Sequence, residues 1–186
     1  MNNMANRQYS GFATFPLDKA ALGLLVVSPK HGYELYRDFV EAFGLIWRAG
    51  RSKFYATLSA LQGDGCLDVT TEPQEDRPPR KVYQLTDAGR DVFTHWLYQP
   101  VRPLRSVRVE LLAKLRFFDI LGLPDADRLI DAQIATCQAE LDHLSQQRSR
   151  RLETGEDLFC ELVYDFRQRQ TRFIVEWLDT CKGYFQ

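Results

Sequence analysis

The sequence has no excess of charge of either sign and no long apolar run. Its 186 residues include 24 Lys and Arg against 25 Asp and Glu, which gives a net charge of −1. Binding to a polyanion would therefore need a local basic patch, because the chain has no overall positive field. The apolar run from Ala20 to Val27 is too short to cross a bilayer. Hydrophobic residues make up 45% of the chain, which excludes a mostly disordered protein.

Cysteine is also scarce. The four cysteines are far apart in the sequence, at Cys66, Cys137, Cys160 and Cys181. None belongs to a C-x-x-C pair, so we expect reduced thiols, no disulfide framework and no metal or other cofactor. The first residues lack the charged-then-apolar order of a signal peptide. We therefore expect a soluble, cytoplasmic protein without a membrane anchor.

Motifs of enzyme active sites are missing as well. His31, His95 and His143 have neither the H-x-x-x-H nor the H-E-x-x-H spacing of metal ligands. The sequence contains no G-x-S-x-G nucleophile motif and no glycine-rich phosphate loop. These absences favour a binding protein, and we expect no enzymatic activity.

Hydrophobic periodicity predicts three helices in the first third of the chain. They run from Leu17 to Val27, from about His31 to Gly44, and from Ser52 to Gln62. The first ends before Pro29, because the residue preceding a proline avoids the helical region. Ser52 is a good N-cap for the third helix.

After the third helix the period changes from helical to alternating. Residues Cys66 to Thr70 and Lys81 to Leu85 alternate apolar and polar side chains, which predicts two strands. Pro73 to Pro79 has loop chemistry, so the strands form a hairpin with a long tip. Thr86 is the expected N-cap of a helix that ends near Pro100. This order of elements is that of a winged helix-turn-helix.

The hydrophobic pattern of the remaining residues predicts only helices. One runs from Leu104 to Leu121, the next is roughly 30 residues long and begins at Pro124, and the last runs from about Asp157 to Lys182. Apolar residues in the long helix recur at steps of four and three, as in coiled coils. Two such helices cannot bury both apolar faces alone, so we expect a second copy of the chain as partner. The predicted dimer interface comprises Ile134, Leu141, Phe166, Phe173 and Trp177.

The predicted fold is mainly α with a small β-hairpin. It combines an N-terminal winged helix-turn-helix with a C-terminal helical, coiled-coil-like dimerisation domain. We expect a flexible N-terminal arm at residues 1–15, a DNA-binding winged helix at residues 16–102, and the dimerisation domain at residues 103–186. The boundary lies in the PVRP sequence that ends at Pro103.

A first cluster of basic and hydroxyl side chains surrounds the start of the third helix. Exposed N–H groups at a helix N-terminus favour phosphate, and cations beside them strengthen that preference. We predict that this helix enters the major groove of DNA. The predicted contacts are Arg48, Arg51, Ser52, Lys53, Tyr55 and Thr57, of which Lys53, Tyr55 and Thr57 are the candidates for base reading. A solvated helix face with scattered charge is the alternative.

A second basic cluster lies at the hairpin tip. Arg77, Arg80 and Lys81 are separated by two prolines, which stiffen the tip. Cations at the end of a projecting ribbon are placed to reach phosphates or a minor groove. Neighbouring acids, among them Glu72 and Glu75, are instead typical of a plain polar loop. Because both clusters fall where a winged helix touches DNA, we predict that the tip binds DNA.

Several segments resemble the PadR family of winged-helix transcriptional regulators. Leu22 to Leu35, with its HGYEL stretch, resembles the opening of that family. Lys53 to Gly65 resembles its recognition helix, and Arg77 to Gly89 resembles the wing with the helix that follows. Pro103 to Phe118 is similar to the start of the C-terminal domain in a subgroup related to virulence-gene activators.

The resemblance implies a homodimer that binds an inverted-repeat operator in double-stranded DNA and usually represses a gene. It further implies that a small effector releases some members from DNA. Ala56 stands where many members have proline, and Lys53 stands where a small hydroxyl residue is usual. The operator sequence therefore cannot be carried over from the family.

An aromatic effector pocket is a further expectation. Trp96 and Trp47 are the candidate ligand-facing residues, because the resemblance places aromatic effectors near there in some relatives. Aromatic side chains at helical spacing are, however, more often plain core. Three other functions stay open at this point: a winged helix that binds protein rather than DNA, a transcriptional activator of the same family, and a helical protein that binds or converts a small molecule.

Overall fold

The computed structural model describes residues 15–74, 77–102, 104–152 and 158–184. Within these ranges, nothing is described of the side chains of Gln74, Arg77, Pro78, Arg105 and Leu152. The predicted arm lies outside them except for Phe15, and so does Pro103 at the predicted domain boundary, which stays a prediction. No helix in the described ranges is long and apolar enough to span a membrane.

The first half of the chain folds as a winged helix-turn-helix, as predicted. A strand of two residues that the sequence did not predict precedes the second helix. Its elements are α1 (Leu17–Gly23), β1 (Lys30–His31), α2 (Gly32–Phe43), α3 (Arg51–Gly63), β2 (Leu67–Gln74), β3 (Arg77–Leu85) and α4 (Asp87–Tyr98).

Helix α1 ends at Gly23, four residues before the predicted end at Val27. The amide of Leu25 bonds to the Leu22 carbonyl, and that of Val26 bonds to the Gly23 carbonyl, so the chain tightens into turns. Leu25 remains buried after the helix has ended. The apolar run therefore reflects burial of a turn as well as burial of a helix.

The sheet has three antiparallel strands in the order β1-β3-β2. The predicted hairpin is β2 and β3, in which Val69 pairs with Tyr83. The predicted loop from Pro73 to Pro79 is wrong in its extent, because β2 continues to Gln74 and β3 begins at Arg77. Strand β1 pairs Lys30 with Tyr83 and His31 with Val82 on the other side of β3. Two residues are too short to show an alternating pattern, so β1 could not be predicted from the sequence.

Helix α4 begins as predicted, because the Thr86 hydroxyl accepts the amide proton of Gly89 at 3.0 Å. The predicted helix from Leu104 is wrong in its first turn. Leu104–Ser106 form a 3₁₀ turn, and helix α5 occupies Val107–Leu121. Gly122 ends α5 with a φ of +58°, which confirms the predicted stop.

Two long helices complete the described chain, α6 (Ala126–Leu152) and α7 (Leu158–Cys181). Helix α6 begins after the predicted start at Pro124, because Asp125 takes a positive φ of 71° and cannot be helical. The helices are antiparallel, since Asp131 near the start of α6 pairs with Lys182 after the end of α7 at 2.7 Å. Arg167–Glu140 and Arg148–Glu161 pairs follow towards the other end.

The core of the winged helix continues into α5 through Phe117. Phe117 is fully buried, with ring centroids 5.1 Å from Phe43 of α2 and 5.0 Å from Phe93 of α4. A Cβ on Gly23 of α1 would clash with the rings of both Phe117 and Phe93. Helices α1, α2 and α4 therefore all pack against this one side chain.

We expect Gly23→Ala to lower the free energy of unfolding by about 1–3 kcal/mol, because the added methyl overpacks this aromatic core. Gly63→Ala is the matched control, since nothing lies within 4 Å of the position of its Cβ. Urea unfolding of both variants measures the difference. Equal stabilities would mean that α1 is free to move away from Phe117.

Candidate nucleic-acid interface

Helix α3 is held by its buried face and by the turn before it. Phe54 and Leu58 are fully buried beneath the helix. The Tyr36 hydroxyl donates to the Ala49 carbonyl at 3.0 Å, which fixes the turn that leads into α3. The N-cap is Gly50, not the predicted Ser52, which lies exposed in the first turn.

The predicted base-reading residues lie on the outer side of α3. Lys53 and Tyr55 are exposed and Thr57 is half-buried. The Thr57 hydroxyl donates to the Lys53 carbonyl at 3.0 Å, so its oxygen remains able to accept a hydrogen bond. Arg51 has its guanidinium 5.6 Å from the ring centroid of Tyr36, which orients it beside the helix start.

The structure brings part of α3 together with the wing. A surface concavity of about 500 Å³ lies between the start of α2, the outer side of α3, and β3. Of the predicted contacts, it joins Tyr55 to Arg80 and Lys81, whereas Arg48, Ser52, Lys53 and Thr57 do not line it. It also contains His31, Tyr33 and Ser59, which the sequence did not predict.

Gly32 allows α3 to approach the start of α2. A Cβ at this position would lie 2.9 Å from the ring of Tyr55 and 3.1 Å from the ring of Tyr83. Burial raises the pKa of the Tyr83 hydroxyl, and the nearby Tyr55 raises it further. A small residue at 32 therefore seats Tyr55 so that it lines the concavity.

Tyr33 is the most exposed of the tyrosines around this concavity, at 62%. It occupies the first turn of α2, whose buried residues Leu35 and Phe39 define the opposite face of the helix. The helical pattern could have placed Tyr33 on the outer face. It could not show that this residue and Tyr55 lie around one concavity, because they belong to different helices.

The wing contributes exposed cations. In the strand register Lys81 is opposite Thr71, and Arg80 is opposite Glu72. Among the described residues, neither cation forms an ion pair, and the same holds for the exposed Arg48 and Lys53. Arg77 begins β3, but its side chain lies outside the described part of the chain. The face therefore carries exposed cations that form no ion pair with an acid of the described chain.

A second concave site adjoins Trp96. This site, the Trp96 pocket, measures about 590 Å³ and lies between α4, the segment after it, and α5. The indole Nε1 of Trp96 donates to Glu110 Oε1 at 2.8 Å. Trp47, the other predicted effector residue, does not line this pocket. It lies half-buried beside Phe15, with ring centroids 6.3 Å apart, and its predicted contact with an effector stays a prediction.

Lys114 is a buried cation in the wall of the Trp96 pocket. Only 1% of the surface of Lys114 is exposed to solvent. The ammonium Nζ donates to the Gln99 carbonyl at 2.6 Å and lies 3.5 Å from Glu110 Oε1 and 4.9 Å from the centroid of Trp96. Burial lowers the pKa of Lys114, and the carboxylate of Glu110 opposes that shift.

The predicted dimer residues divide into two groups. Ile134 is buried inside its own chain, and Leu141 and Trp177 are half-buried. Phe166 and Phe173 are 65% and 66% exposed on the outer side of α7. They belong to a set of exposed apolar side chains on α7, the α7 stripe, that consists of Leu158, Phe159, Leu162, Val163, Phe166 and Phe173. Ile134 is therefore not available to a partner in this structure, whereas the two phenylalanines are.

Two family models match the chain. The transcriptional regulator PadR-like family matches residues 21–95, and the virulence activator alpha C-terminal family matches residues 107–185. The first range covers most of the winged helix, and the second covers helices α5 to α7. Both matches agree with the element order described above.

Two curated proteins are similar in sequence. PadR of Bacillus subtilis, a negative transcriptional regulator, is 30% identical over 173 residues, which cover 88% of this chain and 94% of that protein. Rv1176c of Mycobacterium tuberculosis, a probable transcriptional regulator, is 34% identical over 104 residues, or 56% of this chain and 55% of that protein.

Solved structures of B. subtilis PadR are also similar. The complex with operator DNA is 26% identical with a TM-score of 0.43, and it covers 91% of this chain and 99% of that chain. The complex with p-coumaric acid is 27% identical with a TM-score of 0.40, and it covers 91% of this chain and 98% of that chain.

Lys114 should make stability depend on pH. Its pKa is lowered in the folded chain, so between that value and the unfolded value near 10.5 the unfolded state binds more protons. The contribution of Lys114 to the free energy of unfolding therefore rises with pH, by at most about 1.4 kcal/mol per pH unit. We expect Lys114→Met to remove that rise, which is measured as the difference between the urea-unfolding curves of variant and wild type from neutral to alkaline pH. A constant difference would contradict the effect.

Proposed function

The chain belongs to the PadR-like family of transcriptional regulators, and from that premise we propose that it represses transcription by binding a DNA operator. The observation that carries the proposal is the exposed face of α3 and β3, where Tyr55, Arg80 and Lys81 meet at one concavity. Repression is favoured because the B. subtilis relative is a negative regulator. DNA as the partner implies a cytoplasmic protein that acts by binding and not by catalysis.

In the proposed complex, α3 lies in the major groove and the wing follows the neighbouring backbone. Lys53, Tyr55 and Thr57 are proposed to read base edges, since they lie on the outer side of α3. The cations of the DNA-binding face are proposed to contact phosphates or a minor groove. They are Arg48, Arg51, Arg77, Arg80 and Lys81.

We propose that the chain acts as a homodimer on an inverted-repeat operator. The α7 stripe supports this, because several large apolar side chains exposed along one helix favour association with a partner. Two-fold symmetry is the commonest way to cover such a surface with a second copy. The two α3 helices would then lie about 34 Å apart, one turn of DNA. The proposed division keeps residues 16–102 for DNA and residues 103–186 for dimerisation.

A small aromatic effector is proposed to act at the Trp96 pocket. Trp96 is half-buried and lines the pocket, which lies on α4, the helix that follows the wing. The complex of B. subtilis PadR with p-coumaric acid supports an effector of this kind. The main alternative is a winged helix that binds protein, which predicts no salt-dependent affinity for any duplex.

Two substitutions separate phosphate contact from base reading. Lys81→Ala should weaken binding to all duplexes alike and lower the salt slope by about one unit, because one phosphate contact is lost. Thr57→Ala should change the preference among operator variants instead. Fluorescence anisotropy at several salt concentrations, on the region upstream of the gene and on random duplex, measures both. Arg128→Ala, an exposed cation on α6, is the control.

Wild-type protein that binds neither duplex at low salt would contradict the proposed DNA binding. An unchanged salt slope for Lys81→Ala would remove Lys81 from the contacts. Equal losses by Thr57→Ala on operator and random DNA would remove Thr57 from base reading.

We expect Phe166→Asp to convert the dimer into monomers, because it would bury an unpaired charge in the α7 stripe. Arg172→Asp places the same carboxylate on an exposed position of α7 outside the stripe and should stay dimeric. Sedimentation at micromolar concentration compares the two, with circular dichroism to check folding. Dimers of folded Phe166→Asp would show that another surface forms the interface.

A further inference from the structure

Phe15 anchors the chain beside the turn that leads into α3. It is 4% exposed, and its ring centroid lies 5.7 Å from that of Phe39, 5.4 Å from that of Phe43 and 6.3 Å from that of Trp47. The ring of Trp47 is nearly parallel to it, at an interplanar angle of 15°. The segment before this anchor, residues 1–14, therefore joins the folded chain next to the turn between α2 and α3.

This turn is fixed by hydrogen bonds and carries a proposed phosphate contact. The amide of Trp47 donates to the Phe43 carbonyl at 2.8 Å, and the Tyr36 hydroxyl donates to the Ala49 carbonyl at 3.0 Å. Arg48 lies exposed between these two held residues, three positions before the first residue of α3. DNA that α3 binds in the proposed way therefore passes close to the anchor.

The composition of residues 1–14 is typical of a segment that binds a minor groove. They contain no Asp or Glu, although the whole chain has 25. Arginine, asparagine and glutamine are the side chains that read this groove, because they donate hydrogen bonds to the acceptors of A·T pairs. The segment has five of them, at Asn2, Asn3, Asn6, Arg7 and Gln8.

We propose that residues 1–14 bind the minor groove of DNA next to the major groove that α3 occupies, with Arg7 inserted into the minor groove. The inference rests on the proposed DNA binding and names a second element that selects the operator. An arginine favours a narrow minor groove, since the negative potential is enhanced there and A·T tracts provide it. The preferred flank, the base pairs beside those that α3 reads, is therefore rich in A·T.

The segment is long enough for this contact. Arg7 is eight residues from Phe15, and eight residues span at most about 26–29 Å when extended. A major groove and the neighbouring minor groove are about half a turn of DNA apart, or roughly 17 Å. Arg7 can therefore reach the flank while Phe15 stays in its place in the core.

Packing of the segment on its own chain is the competing arrangement. Val40 of α2 is 47% exposed and Leu45 after α2 is fully exposed, so apolar surface is present near the anchor. Five of the first eight residues are nevertheless amides or arginine, and burying such groups without hydrogen bonds is costly. The composition therefore favours DNA as the occupant.

Deletion of residues 1–12 tests the proposal while it keeps the anchor. Duplexes selected from a random pool by the full chain are remade with A·T, I·C or G·C flanks. An I·C pair keeps the major-groove groups of G·C but lacks the minor-groove amino group, so it separates the two grooves. In fluorescence anisotropy at fixed salt, the full chain should bind A·T and I·C flanks about five- to tenfold tighter than G·C flanks. The shortened chain should bind all three alike.

Substitutions assign the flank preference to its residue. Arg7→Ala should remove most of it, and Arg7→Lys, which keeps the charge without the planar fork, should retain only part. Arg128→Ala, an exposed cation on α6, is the control and should keep the whole preference. Hydroxyl-radical cleavage should show the flanking minor groove protected by the full chain and unprotected with the shortened chain.

The proposal is overturned if the folded shortened chain keeps the flank preference and the protection, or if I·C flanks bind like G·C flanks. It is also overturned if the deletion lowers the free energy of unfolding and leaves DNA binding unchanged, because the segment would then pack on its own chain. These results leave the proposed function intact, since the full chain still binds its selected duplexes. A full chain that binds no duplex at low salt would instead refute both.

Discussion

The packing of Phe117 is the contact on which the relation between the two halves of the chain depends. One buried ring from α5 touches Phe43 of α2 and Phe93 of α4 and lies against Gly23 of α1. Removing such a ring from a core costs about 3–5 kcal/mol, so α5 cannot move away from the winged helix cheaply. Helix α3 rests on the same core through Phe54, whose ring is 5.2 Å from that of Phe39. The position of α5 therefore bears on the position of α3.

The α6–α7 pair keeps its own interior distinct from its outer surface. Arg148 donates to both Glu161 and Gln168, and Gln168 in turn donates to Ser145 at 3.1 Å. These polar contacts between the helices need one alignment of α7 against α6, because a shifted helix would leave buried groups unpaired. The same alignment turns Phe166 outwards. The polar contacts between α6 and α7 thus determine which apolar side chains of α7 stay exposed and can contact a partner.

Local patterns predicted the helices and the hairpin, because each depends on residues close together in sequence. They failed at features set by distant neighbours. Strand β1 exists only through its pairing with β3, and the apolar run from Ala20 to Val27 continues past the end of α1 because Leu25 is buried in a turn. The prediction of the α3 face and of Trp96 came from local chemistry and from family resemblance. The burial of Lys114 could not be read from the sequence, because a lysine within α5 gives no sign of what covers it.

The segment between α4 and α5 is held by hydrogen bonds to its backbone. Buried Gln133 of α6 accepts the amide proton of Val101 at 2.5 Å and donates to the carbonyl of the same residue at 3.3 Å, much as a neighbouring strand would. Because the Gln133 side chain bonds to a peptide group, its bonds do not depend on most side chains of this segment. They do depend on the number of residues in the segment. The identity of the side chains at these positions therefore matters little, whereas a single insertion or deletion there would bring a different peptide unit opposite Gln133 and shift α6 relative to the winged helix.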